Sequence, residues 1–238
     1  MLPMCDTRTL SVIRTMLVEF YYDLRSQPCR AVYLFLKATG IDFTPKVTDL
    51  LKGEQNQPEL VKKNPYHKLP LIDDDGFILV ESVAIMRYLA MKNNVADSWL
   101  PRNDVKQMAR VDEFLNWHHL CVRKPCVRNK IVFGHFTKEP LDKERAKTLR
   151  EEVKKFVTHI GDYYLKDRPF IAGDEISVAD ISAVCELAQL TGIKEESLYM
   201  ENEVVGAWFE RVKAKLQPHY DECMETFAAF KKKFEEAE

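Results

Sequence analysis

The chain has 238 residues, 46% of them hydrophobic and 30% charged, enough for one large globular unit or two smaller domains with real cores. Lys and Arg number 35 against 37 Asp and Glu, and the resulting net charge of -2 excludes a strong basic field for nucleic acid or an anionic membrane and favours a neutral or small-molecule partner. The cysteines (Cys5, Cys29, Cys121, Cys126, Cys185, Cys223) form no C-x-x-C pair and no zinc spacing, so they read as reduced thiols with no metal, and no apolar run approaches the roughly 20 residues of a bilayer span.

Residues 1–16 contain Arg8, Arg14 and Asp6 without the apolar core of a secretory signal. They are expected to be a disordered leader, with Met16 able to open the folded part. The C-terminal KKKFEEAE resembles no retention or peroxisomal address, and a cytoplasmic location is expected.

Val18, Phe20 and Tyr22 alternate with Glu19 and Tyr21, which predicts a strand, and the turn Asp23-Leu24-Arg25-Ser26 leads to an apolar helical run from Pro28 to Lys37. Phe43 to Thr48 predicts a second strand and Pro58 to Lys63 a short helix. Pro70-Leu71-Ile72 and Phe77-Ile78-Leu79 flank Asp73-Asp74-Asp75-Gly76, and the Asp-Gly pair signals a hairpin. A helix from Val83 to Lys92 follows, with Ser82 as its expected N-cap. Residues 17–94 therefore read as one α/β domain of βαβ and ββα order.

Residues 95–104 break the pattern with Pro, Asn and Asp, and are expected to be a linker. From 105 to 238 the spacing is helical. Met108, Val111, Leu115 and Val122 mark one helix, which Pro125 should kink or end, and Leu149, Val153, Phe156, Val157, Ile160 and Tyr164 mark another. Ser177-Val178-Ala179-Asp180 predicts a capping box, with Asp where Glu is usual, at the start of a central helix.

Three short segments carry the chemistry. Ser26-Gln27-Pro28-Cys29 places a hydroxyl at a helix N-terminus, where orphan N–H groups and the helix dipole favour an anion; the ordinary alternative is a plain capping serine. Lys68-Leu69-Pro70 precedes a hairpin strand, and a cis bond there leaves neighbouring backbone groups open to a peptide-like ligand, whereas a trans proline starting the strand is the other reading. Glu81 and Ser82 pair a carboxylate with a hydroxyl and helix N–H groups, which suits an amino-acid zwitterion; capping alone is the alternative.

In this order and spacing, DLRSQPCRAVYLFLK, NPYHKLPLIDDDGFILVESVAIMRYLA and FIAGDEISVADI resemble the cytosolic glutathione transferases, and the first segment resembles the theta class. The resemblance spans about residues 17 to 230. It implies a thioredoxin-like N-terminal domain, an all-α C-terminal domain, a homodimer, and glutathione as co-substrate with a hydrophobic electrophile such as an alkyl or aryl halide, an epoxide or a hydroperoxide.

The resemblance further implies that Ser26 activates the glutathione thiol, that Leu69 bonds the cysteinyl backbone, that Glu81 and Ser82 hold the γ-glutamyl end, and that Lys68 and Gln55 face the glycine carboxylate. Theta relatives carry a histidine where this chain has Gln55. Arg123 falls where theta enzymes place an arginine beside the electrophile, its alternative being a solvated helix-face arginine. Leu24, Arg25 and His119, of the pair His118 and His119, complete the expected electrophile pocket with Phe227 and Phe230 on a closing C-terminal helix. The chain ends soon after Phe230, where several theta relatives continue, so a more open site that admits bulkier electrophiles is expected.

A serine suffices on energetic grounds. A thiol with a pKa near about 8.5 is only about 3% ionised at neutral pH, and lowering that value by roughly two units requires about 2.7 kcal/mol of preferential anion stabilisation. A hydrogen bond to a charged group contributes roughly 1.5–3 kcal/mol and a helix N-terminus roughly 0.3–1. Ser26 thus acts as a donor to sulfur rather than as a nucleophile. Two rivals remain: a redox role for Cys29, which sits three residues after Ser26, and a non-catalytic ligand carrier or assembly module on the same fold.

Overall fold

The computed structural model describes residues 17–123, 143–192 and 194–226. Strand β1 (Val18–Tyr22) buries Val18, Phe20 and Tyr22 in the predicted alternation. Helix α1 (Gln27–Thr39) begins with Pro28 in its first turn and stops at Gly40, whose φ of 68° is the left-handed conformation that glycine supplies at a helix end. Strand β2 (Phe43–Val47) pairs in parallel with β1. It contains Pro45, and the proline is tolerated because β2 is an edge strand.

A 3-10 turn (Glu54–Asn56) and helix α2 (Pro58–Lys63) lead to β3 (Leu71–Asp74) and β4 (Phe77–Val80). Asp75 and Gly76 join these strands at φ 53° and 88°, the two positive values of a two-residue hairpin turn. The sheet order is β2-β1-β3-β4, with β3 antiparallel to both neighbours. Helix α3 (Ser82–Lys92) completes the α/β half. Its N-cap is Glu81 and not Ser82, because the helical conformation already begins at Ser82.

Helix α4 (Val105–Cys121) starts at Asp104, whose side chain accepts hydrogen bonds from the N–H groups of Lys106 and Gln107. Helix α5 (Lys143–His159) runs into a π-helical turn (Ile160–Tyr164), so the predicted single helix through Tyr164 is wider at its end. Helices α6 (Val178–Thr191), α7 (Ser197–Met200) and α8 (Glu203–Lys215) follow. Pro125, the leader 1–16, Phe227 and Phe230 lie outside the described residues.

Helix α6 is the centre of the molecule. Every residue from Val178 to Leu190 is buried, and the helix packs on α1, α4 and α8. Its capping box forms as expected, and the wholly buried Asp180 does more than cap. It accepts hydrogen bonds from the Ile171 N–H at 2.9 Å, from the Ser177 N–H and hydroxyl at 2.9 Å each, and from Trp208 Nε1 on α8 at 2.9 Å. Burial raises the Asp180 carboxyl, and those four donors work against that rise. The segment before α4 is tied down as well: Arg102 donates to Asp97, Asn94 and the Val95 carbonyl, and the Trp99 carbonyl accepts from the Val178 N–H.

Candidate active site

Ser26 occupies the N-cap of α1 with an extended backbone (φ -88°, ψ 123°), yet its hydroxyl makes no capping bond to the helix. A capping serine spends its oxygen on a backbone N–H two or three residues on. Here the half-buried serine leaves the backbone uncapped, and its hydroxyl stands near the Cys29 thiol beside N–H groups that the helix cannot satisfy. The turn that carries it is rigid. The Ser26 N–H donates to the Asp23 carbonyl at 2.9 Å, and the buried Asp23 carboxylate accepts from the N–H groups of Arg25 and Leu50.

Arg25 reaches both Asp23 and Asp49, joining the loop after β1 to the loop after β2. Its guanidinium is held above its ordinary range, chiefly by the bonds to Asp23 and then, against burial, by those to Asp49. Arg25 is therefore a clamp on two loops, and its charge is already engaged. Leu24 beside it is half-buried against the core.

Cys29 is wholly buried in α1. Burial pushes its thiol up to about 12, with bonds to the Ser26 side chain and the Asp23 backbone acting in the opposite direction. A thiol so placed is a poor nucleophile, so the structure disfavours the redox rival.

Three further segments carry the other residues expected to meet glutathione. The Leu69-Pro70 bond is cis, Leu69 is buried and Lys68 is exposed, with the Lys68 carbonyl held by Asn64 Nδ2 at 2.7 Å. Gln55 sits in the 3-10 turn, and its Oε1 is shielded with no hydrogen-bond partner. A bond of 2.9 Å between His67 Nδ1 and Asn56 Oδ1 links that turn to the Lys68 segment. Glu81 is exposed and adopts φ 71° and ψ 111°, a conformation that costs a non-glycine residue roughly 1–3 kcal/mol and that persists where surroundings enforce it. Ser82 is 2% exposed, and its hydroxyl bonds no described residue.

On the helical side, Arg123 follows the end of α4 and donates from Nε to Glu186 Oε1 on α6 at 2.6 Å. His118 Nε2 lies 3.4 Å from the same oxygen, and both His118 and Glu186 are wholly buried. Burial alone would raise the Glu186 carboxyl, but His118 and Arg123 outweigh it and hold the group below its ordinary range. His119 is exposed and touches Arg123 Nη1 at 3.4 Å, so the two adjacent histidines part: His118 stacks on Phe114 in the core and His119 faces out. Among the described residues no group of three or more His, Cys, Asp or Glu is placed to hold a metal.

Sequence reasoning missed Glu186 and Arg30. Each had a signal, a lone charge inside an otherwise apolar run, in SAVCELAQL and in PCRAVYLFL. Arg30 is 1% exposed and is hydrogen-bonded on both sides of the junction between α1 and α6.

Comparison with known proteins bears on this arrangement. Residues 19–91 match the family described as Glutathione S-transferase, N-terminal domain, and residues 112–215 the family described as Glutathione S-transferase, C-terminal domain. The chain is 38% identical over 200 residues to bovine (Bos taurus) glutathione S-transferase theta-1, an alignment covering 83% of this chain and 82% of the relative. The human T1-1 apo structure superposes with a TM-score of 0.85 at 35% identity, covering 90% of this chain and 91% of that one. Human theta-2 in complex with glutathione and an unknown ligand superposes with a TM-score of 0.84 at 35% identity, covering 92% and 90%. With both halves matched in order and more than a third of aligned residues identical, the chain belongs to the glutathione S-transferase family, in its theta class.

Proposed function

We propose that this protein transfers glutathione to small hydrophobic electrophiles, with the Ser26 hydroxyl and the first N–H groups of α1 holding the sulfur as a thiolate. The thiolate attacks an electrophilic carbon, a C–S bond forms, and the leaving group departs with the electron pair of the bond it breaks. An epoxide opens in the same way, its oxygen taking a proton from solvent.

The observation that carries this reading is the Ser26 hydroxyl at the mouth of α1, unused as a cap. The other assignments rest on position. Leu69 offers backbone bonds to the cysteinyl unit, Glu81 and Ser82 take the γ-glutamyl ammonium and carboxylate, and Lys68 and Gln55 meet the glycine carboxylate. Leu24, His119 and Arg123 line the electrophile side. Arg25 joins that side with its guanidinium shared between Asp23 and Asp49, as that of Arg123 is shared with Glu186. A homodimer in the cytoplasm completes the proposal, and among the described residues no helix is long and apolar enough to cross a membrane.

Retention on immobilised glutathione, combined with turnover of a panel of alkyl halides, activated aryl halides, epoxides and organic hydroperoxides, tests the proposal. Retention with turnover of at least one class is the expected result. Retention without any turnover favours the carrier reading, and neither retention nor turnover overturns both.

A further inference from the structure

Arg30 lies in the apolar run of α1, between Cys29 and Ala31, and is 1% exposed. Burying a guanidinium costs several kcal/mol unless its donors are satisfied, so such a residue persists where its bonds matter. Its Nη1 donates to the carbonyl of Leu24 at 2.8 Å and to that of Arg25 at 3.3 Å, the two residues directly before Ser26. Its Nη2 donates to the Cys185 carbonyl at 3.0 Å and to Gln189 Oε1 at 2.8 Å, both on α6. Its own N–H donates to the Ser26 carbonyl at 3.0 Å. One side chain therefore grips the turn that presents the Ser26 hydroxyl and anchors it to a helix of the other half of the molecule.

We propose that Arg30 is a positioning residue that locks the Ser26 turn to helix α6 and so sets how strongly the site ionises glutathione. The inference rests on the Ser26 reading above. Hydrogen bonds weaken steeply with misalignment, and a hydroxyl that must meet a sulfur has only one proton to aim. A turn tied only to the loop after β2, through Asp23 and Arg25, would still shift against α6 and carry that proton with it. The Arg30 charge acts in the same direction, since it favours the ionised form of the neighbouring Cys29 and Cys185 thiols. Lysine cannot replace it: a single ammonium has no planar fork with which to bridge two carbonyls on one side and two acceptors on the other.

The test measures the pKa of enzyme-bound glutathione, from its thiolate absorbance against pH, in Arg30→Lys, Arg30→Met, Gln189→Leu and Ser26→Ala. Glutathione affinity by calorimetry and the melting temperature are recorded for each. The expected result is a rise of about one unit in the bound-thiol pKa for both Arg30 variants, hence up to about tenfold less thiolate near neutral pH, with glutathione affinity changed less than about threefold. Gln189→Leu, which removes one arm on α6 and leaves the charge in place, gives a smaller rise and keeps the proposal testable if the Arg30 variants do not fold. Lower melting temperatures with an unmoved bound-thiol pKa in every variant that folds overturn the proposal and leave Arg30 a structural residue. Ser26→Ala separates the two claims: if it too leaves the bound-thiol pKa unmoved, the Ser26 reading itself fails.

Discussion

Arg123 Nε donates to Glu186 Oε1 across 2.6 Å, joining α4 to α6 over 63 positions of the chain. The carboxylate is wholly buried and the arginine keeps 17% of its side chain exposed. Glu186→Gln leaves that guanidinium without its counter-charge. The expected cost is about 2 kcal/mol, less than the roughly 3–5 kcal/mol of a fully buried pair, because Arg123 can hydrate in part.

That pair also has a pH signature. A carboxyl held below its ordinary range stabilises the fold above its unfolded value and loses that contribution as pH falls through the lowered folded value. The gap between wild type and Glu186→Gln in urea denaturation is therefore widest near neutrality and narrows below about pH 4.5. A gap that stays constant down to acid unfolding contradicts the ion pair.

Ser26→Ala removes one charge-assisted hydrogen bond to the glutathione sulfur and no backbone cap of the helix, leaving only its weak contact with the Cys29 thiol to be lost from the fold. Turnover with a good alkyl halide should fall at least about tenfold, in line with roughly 1.5–3 kcal/mol for such a bond, while glutathione affinity and melting temperature change little. Unchanged turnover removes Ser26 from the chemistry.

Cys29 and Cys121 make an internal comparison, one thiol buried in α1 and the other exposed at the end of α4. With a thiol-specific alkylating reagent at mildly alkaline pH, Cys121 should be modified at least about a hundredfold faster, because reaction requires an accessible thiolate. Peptide mass spectrometry over time reads both sites together. Rapid labelling of Cys29 would restore the redox alternative.

Gln55→His places a ring that can carry charge beside the expected glycine carboxylate. Glutathione KM should fall about threefold to tenfold near pH 6 and return toward the wild-type value as the imidazole loses its proton at higher pH. A KM that is unaffected at every pH moves the glycine end of glutathione away from this turn.

Asp180 and Trp208 share one hydrogen bond between α6 and α8. Asp180→Ala orphans the buried N–H groups of Ile171 and Ser177 as well as the indole, and should cost at least about 3 kcal/mol. Trp208→Phe should cost about 1–2 kcal/mol, and the double variant less than the sum, since both remove the same bond. Strict additivity in denaturant melts would show that the bond contributes nothing.

The sheet, the hairpin and the central helix were legible because their signals are local. Alternation at Val18, Phe20 and Tyr22, the Asp75-Gly76 turn and the Ser177-to-Asp180 box each lie within a few residues. The N-cap of α3 was misplaced by one position because Glu81 takes a left-handed backbone that its side chain gives no reason to expect. Arg30 and Glu186 escaped for another reason: their partners lie 155 and 159 positions away for Arg30, and 63 for Glu186. A lone charge in an apolar run announces that a partner exists without saying where.

The packing of α1 on α6 bears on how the molecule comes apart. Val18, Phe35, Leu187 and Trp208 belong to a single contiguous apolar core, although sequence divides them between two halves. Neither half can open without stripping the other of the surface that covers it, so a single cooperative melting transition is expected. A graft that exchanges the N-terminal half for that of a relative must bring a compatible α6 with it.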